Sequence, residues 1–373
     1  MALTQYYVDP AINANSGTGT IGDPFGDLQY GLNTVTRDST NGDQFNVKAG
    51  TAEVLASSLT LATYGTPANN APLVLRGYTS TANDGGVGEI NGNNATMFTT
   101  TYNDLILSDL KLHDMGTNDA VLVGQRCIVD NCEVYRGSSV PAGYKFLIRV
   151  GADSAVTRCY VYDAGTNGRG IQVGNSAYAG WCHVRNCSNI GIEVGSTSMA
   201  AASWNIVRGP VDFGINAAGK GNVVLNNIVY GAGGGGTGIR NQGDTWMNIT
   251  VCANNMVSGF SGAGGIGISA AYCRMVGYNG FYNNTTHKSL SVYVDRTSAD
   301  VLLGADPFTD AANGDFSLTD AAKAVLRSAG WPASYLGAHA NTDPHVTIGP
   351  MQYGPAVAGG GPVRILPLRG IIG

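Results

Sequence analysis

Five charged side chains in the middle of the chain, Asp163, Arg169, Glu193, Asp212 and Lys220, are the residues whose types and spacing invite chemistry. Glu193 and Asp212 read as paired acids on neighbouring turns of a repeating fold, or as two solvated turn acids. His183 and Arg185 flank Val184 in an alternating stretch, which puts both on one outward face, either at work in a groove or idle on the surface. The run Gly231 to Gly236 matches the spacing of a dinucleotide loop, but no strand–helix unit surrounds it, so it reads as a glycine loop. Asn83 to Glu89 offers oxygen ligands to calcium without the alternating acids of a strong calcium loop. Calcium is thus the one cofactor left open, and no metal site is assigned. Trp181, Trp204 and Trp246 fall in successive parts of the chain, and serve core or rim packing or stack on sugar rings.

The elements that hold these residues follow from composition and period. Glycine is 54 of 373 residues and charged residues are 13%, which excludes a coiled coil and charge-driven disorder. At 43% hydrophobic the chain can bury a large core, and 13 prolines without period exclude collagen. A net charge of -5 with no basic tract gives no footprint for nucleic acid. No apolar run is long enough for a membrane span, and MALTQYYVDP lacks the charged and apolar regions of a cleavable signal peptide. Seven cysteines without a CxxC pair support neither a disulfide framework nor a zinc knuckle; they read as buried thiols.

Gly-Ile dipeptides recur at Gly170-Ile171, Gly191-Ile192, Gly214-Ile215, Gly238-Ile239 and Gly267-Ile268. A second landmark falls at Cys132, Cys159, Cys187, Asn227 and Asn255, with one member missing near Trp204 to Arg208. Between the landmarks lie short alternating runs separated by Gly, Asn, Asp or Ser, without helical periodicity. The fold class is therefore all-β, a parallel β-solenoid in which equivalent residues stack about 4.8 Å apart into ladders.

The ends differ from the middle. Leu28, Leu32 and Val35 have helical spacing and predict a short N-terminal capping helix; Leu318, Ala322, Val325 and Leu326 predict another that closes the far end, with Thr319 or Asp320 as N-cap. The expected organisation is a cap over 1–50, coils over 51–305, a second cap over 306–353 and an extended tail over 354–373. Val363, Ile365, Leu366, Leu368, Ile371 and Ile372 make that tail apolar, and predict docking on other subunits of an assembly.

The opening YYVDP, GTGTIGDPFGDLQYGLNTV and GDQFNVKAGTAEV, with APLVLRGY, resembles the entry segment of right-handed parallel β-helix proteins of the pectate-lyase-like superfamily. DPFTDAANGDFSLTDAAKAVL followed by IGPMQ resembles their exit segment. The resemblance implies the fold. For activity it implies either a lyase, with a Lys or Arg base beside carboxylates that hold calcium against a uronate, or a hydrolase with two carboxylates. The acids here do not form the clusters of the family's hydrolases, so no catalytic residue is carried over. The expected function is a non-enzymatic surface protein, such as a phage decoration, fibre or spike subunit on a virion or extracellular surface. The alternative is a polysaccharide lyase, glycoside hydrolase or glycan-binding protein working in a groove of the coils on a surface polysaccharide, with Asp163, Arg169, Glu193, Asp212 and Lys220 as the residues to test.

Overall fold

The computed structural model describes residues 2–329 except 13–14, 99, 117, 137–143, 196–198, 211, 243–249, 292, 295–296, 299 and 327–328. Trp246 and the apolar tail residues Val363, Ile365, Leu366, Leu368, Ile371 and Ile372 lie outside the described residues.

Among the described residues the chain winds through three parallel sheets of 12, 11 and 8 strands. One coil shows the plan: Ala155–Thr157 lies in sheet I, Tyr160–Tyr162 in sheet II and Arg169–Val173 in sheet III. Within these three sheets neighbouring strands pair in parallel, each with its equivalent on the next coil, and the solenoid is right-handed. The Gly-Ile dipeptides are the inner rungs of sheet III, where Ile171, Ile192, Ile215, Ile239 and Ile268 stack in register and are fully buried. Their glycines are a packing requirement. A Cβ on Gly191 would lie 2.3 Å from Val207 Cγ1, and one on Gly214 2.2 Å from Val229 Cγ1, because sheet II presses on sheet III there.

Sheets I and II are joined by a tight turn whose first residue is left-handed, as at Asn131, Arg158, Trp181, Trp204, Asn226 and Asn254. The next residue turns inward, and these residues form one column: Cys132, Cys159 and Cys182, then Asn205, Asn227, Asn255 and Asn279. Each Asn side-chain oxygen accepts the backbone N–H of the residue before it in the column, as when Asn205 N–H donates to Asn227 at 3.0 Å. These bonds satisfy buried polar groups and offset left-handed backbone at the turns. The column corrects the sequence landmarks: Asn205 is the missing member, and Cys182 takes the place expected of Cys187. Cys187 sits instead in the turn toward sheet III, beside Gly170. All seven cysteines are free and buried.

At the N-terminal end the expected cap is present. Helix α1 (Leu28–Thr34) is N-capped by Asp27, which accepts the Tyr30 N–H, and buries Leu28 and Leu32. Beneath it, the 3% exposed Glu53 accepts the Leu28 N–H at 3.1 Å. At the other end, helix α2 (Asp320–Leu326) forms where expected, and Thr319 Oγ1 accepts the Ala322 N–H. Among the described residues it packs on the flank of the solenoid. The hairpin Phe308–Asp310/Asp315–Leu318 and α2 lie on the outer face of sheet II, where Phe308, Phe316, Leu318 and Leu326 cover Ile228 and Met256. That outer face is apolar over several coils, from Ile206 through Ile228 and Met256 to Val301, which gives the hairpin and α2 a surface to cover.

Candidate functional site

Each sheet III strand turns the residue after its inner isoleucine outward. Arg149, Gln172, Glu193, Asn216 and Arg240 therefore stand in one column on five successive coils. The residues that open these strands add Phe146, Arg169 and Phe213 beside the column.

The side chains form a network. Gln172 Nε2 donates to Glu193 Oε1 at 2.6 Å, and the other Glu193 oxygen lies 3.6 Å from Arg169 Nη1. Arg169 Nε donates to Asn189 Oδ1 at 2.9 Å, and Asn189 donates in turn to Asp212. Side-chain exposure is 23% for Arg169 and 18% for Glu193, so the ion pair is partly shielded yet reachable. Arg240 lies with its guanidinium 3.7 Å from the Phe213 ring centre, and its Nε donates to Asn216 at 2.8 Å. Burial, with the charge of Arg169, pushes its pKa down, against the opposite pull of Glu193 and Asp212. Arg149 reaches Asp119 at 3.4 Å, and Asp119 also accepts the Phe146 N–H. Arg149 separates two cavities. One of about 610 Å³ is lined by Asn103, Gln125, Gln172 and Asn175, and one of about 430 Å³ by Asp119 and Lys145. The result is a polar face along the solenoid with three guanidinium groups and amides, Phe146 and Phe213 beneath two of those groups, and the two cavities at its Arg149 end.

The structure brings Arg169, Glu193 and Asp212 together. Asp163 is exposed on the turn after sheet II, where it accepts from Asn186 of the next coil. Lys220 is exposed on the turn leaving sheet III, and its carbonyl accepts the Met199 N–H. Arg149, Gln172 and Asn216 were not singled out from the sequence, although each directly follows an inner isoleucine of the ladder. His183 and Arg185 face outward on sheet II, away from this groove. His183 is covered by Phe316 of the C-terminal hairpin, and Arg185 lies over Tyr160 and Tyr162. Burial, with Arg185 and Arg208, lowers the His183 pKa to about 4.

For calcium, the Asn83 to Glu89 segment does not fit. Asp84 accepts the N–H groups of Thr79, Ser80, Thr81 and Gly86, and Asn83 accepts from Gln44 and Arg76, so these oxygens are committed to donors. Among the described residues no three acid, His or Cys side chains converge as a metal site. In the groove, the guanidinium groups beside Glu193 and Asp212 oppose a cation, so no step is routed through a metal.

No family model matches the chain. No curated protein matches it either. Among solved structures it is similar to pectate lyase Pel9A, with a TM-score of 0.61 at 13% identity over 94% of this chain and 97% of that one. It is also similar to a rhamnogalacturonan lyase, with a TM-score of 0.50 at 14% identity over 86% of this chain and 98% of that one. Coils that superpose over most of both chains make this protein a right-handed parallel β-helix of the pectate-lyase-like type.

Proposed function

We propose that the sheet III groove binds an acidic polysaccharide and cleaves it by β-elimination. The observation that carries the reading is Arg240: a guanidinium pressed on Phe213, its proton loosened by burial, beside the Arg169–Glu193 pair. Arg169 neutralises the uronate carboxylate, which acidifies the neighbouring C5 proton, and Arg149, four coils from Arg240, meets a carboxylate farther along the polymer. Taking up that proton is assigned to Arg240, whose burial favours the uncharged form that a base needs. The electron pair left on C5 forms the C4–C5 double bond, the C4–O bond breaks, and the leaving oxygen is protonated from solvent. Glu193 and Gln172 hold Arg169 in place, and Asp212 does so through Asn189.

That both structural neighbours named above are lyases supports this reading. The virion assembly role expected from the tail has no such support, and its docking residues lie outside the described residues. The test incubates the purified chain with a panel of uronate polymers, with and without calcium, and follows the ultraviolet absorbance of unsaturated product. The wild type is expected to form it, and Arg240→Ala to lower the rate by about 10² or more while still binding polymer. New reducing ends without unsaturated product would point to hydrolysis by Glu193 and Asp212. Binding without any cleavage would leave a glycan-binding protein.

A further inference from the structure

The three outer faces differ in chemistry. Sheet III is polar, and the apolar stretch of sheet II is covered by the chain's own hairpin and α2. Among the described residues, sheet I carries an apolar column with no such cover. Its outward residues stack in register on eight successive strands, from Ile106 through Ile128, Tyr178, Val223 and Val251 to Met275. Each of them keeps part of its surface exposed. The last five of these strands, from Tyr178–Gly180 to Met275–Gly277, contain no charged residue. At the corners of the same face stand Met199, 67% exposed, and the half-buried Trp181 and Trp204. A column depleted of charge, with Met and Trp at its margin and Arg158, Lys220 and Arg274 at its corners, has the composition of a protein interface core inside a charged rim, not of a sugar site, which needs hydrogen-bonding groups along its centre.

We propose that the outer face of sheet I is an interface with a second copy of this chain. Eight strands at about 4.8 Å spacing span about 34 Å, and strand plus both corners are about 20 Å wide, which gives about 700 Å² per partner. Two copies would bury about 1,400 Å² in total, within the range of stable specific interfaces. A column that repeats every coil is self-complementary, so one two-fold axis across the face pairs it with itself.

The test is light scattering of the full chain up to about 100 μM, a concentration that fills an interface of this size. The expected mass is twice 38.5 kDa. Val223→Lys, which places a charge outward in the middle of the column, is expected to return the mass to 38.5 kDa with the β circular dichroism intact. If Val223→Lys does not fold, Ala201→Arg on the neighbouring strand decides in its place. A monomeric full chain overturns the proposal. So does an oligomer unchanged by a folded variant, which would mean that another surface, the tail included, makes the contact.

Discussion

Two buried titratable groups set opposite pH slopes on this fold, and removing one should expose the other. Burial first, then the neighbouring Asp27 and against the Leu28 N–H, raises the Glu53 pKa from 4.5 to about 7. The folded chain keeps a proton that the unfolded chain releases, so this stability is complete below pH 4.5 and lost as pH climbs through about 7. A gap of about 2.5 units corresponds to about 3 kcal/mol. His183 runs the other way. Its pKa falls from 6.5 to about 4, so its stability is complete above 6.5 and lost as pH falls through about 4. Partial exposure of the ring reduces that contribution to about 2 kcal/mol. Between pH 4.5 and 6.5 the two slopes largely cancel in the wild type. Glu53→Gln keeps a neutral group that accepts the Leu28 N–H but does not titrate, so its stability should rise with pH by about 2 kcal/mol across that window. At pH 8 it should exceed the wild type by about 3 kcal/mol. Urea unfolding at half-unit pH steps, followed by circular dichroism, measures both curves. A Glu53→Gln profile parallel to the wild type would refute the reasoning, because the titrating group would then lie elsewhere.

The ladders give two further expectations. Gly214→Ala places a Cβ 2.2 Å from Val229 Cγ1 and 2.5 Å from the Gly238 carbonyl, and should lower stability by about 3 kcal/mol in urea unfolding. Asn227→Ala removes the acceptor of the Asn205 N–H and the donor to the Ala202 carbonyl and Asn255, and should cost about 3 kcal/mol in the same assay. An Asn227→Ala chain as stable as the wild type would mean that the column is spatial stacking without energetic weight.

The Gly-Ile spacing was legible because one physical requirement, no room for a Cβ on the glycine before the inner isoleucine, recurs on five successive coils. The same spacing contained the groove: the residue after each isoleucine is Gln172, Glu193, Asn216 or Arg240 on the face that matters. Only Glu193 was among the five singled out, because the five were sought as charged types and not as positions in a register. Arg169 and Asp212 were found by type, yet type alone could not separate them from Asp163 and Lys220, which end on turns. The C-terminal helix was legible as a helix but not in its location. An apolar stripe at helical spacing reads the same whether it meets the end of a solenoid or its flank, and the deciding residues, Ile228 and Met256, lie some hundred positions earlier or fewer.

The Gly-Ile-x unit divides labour within three residues: glycine and isoleucine face the core, and x stands on the outer face. The groove is therefore a modular tape, read one letter per coil, about 4.8 Å apart. On the proposed function, exchange of a letter would alter what is bound, and loss of a whole coil would shorten the tape by one letter while the rest kept their order.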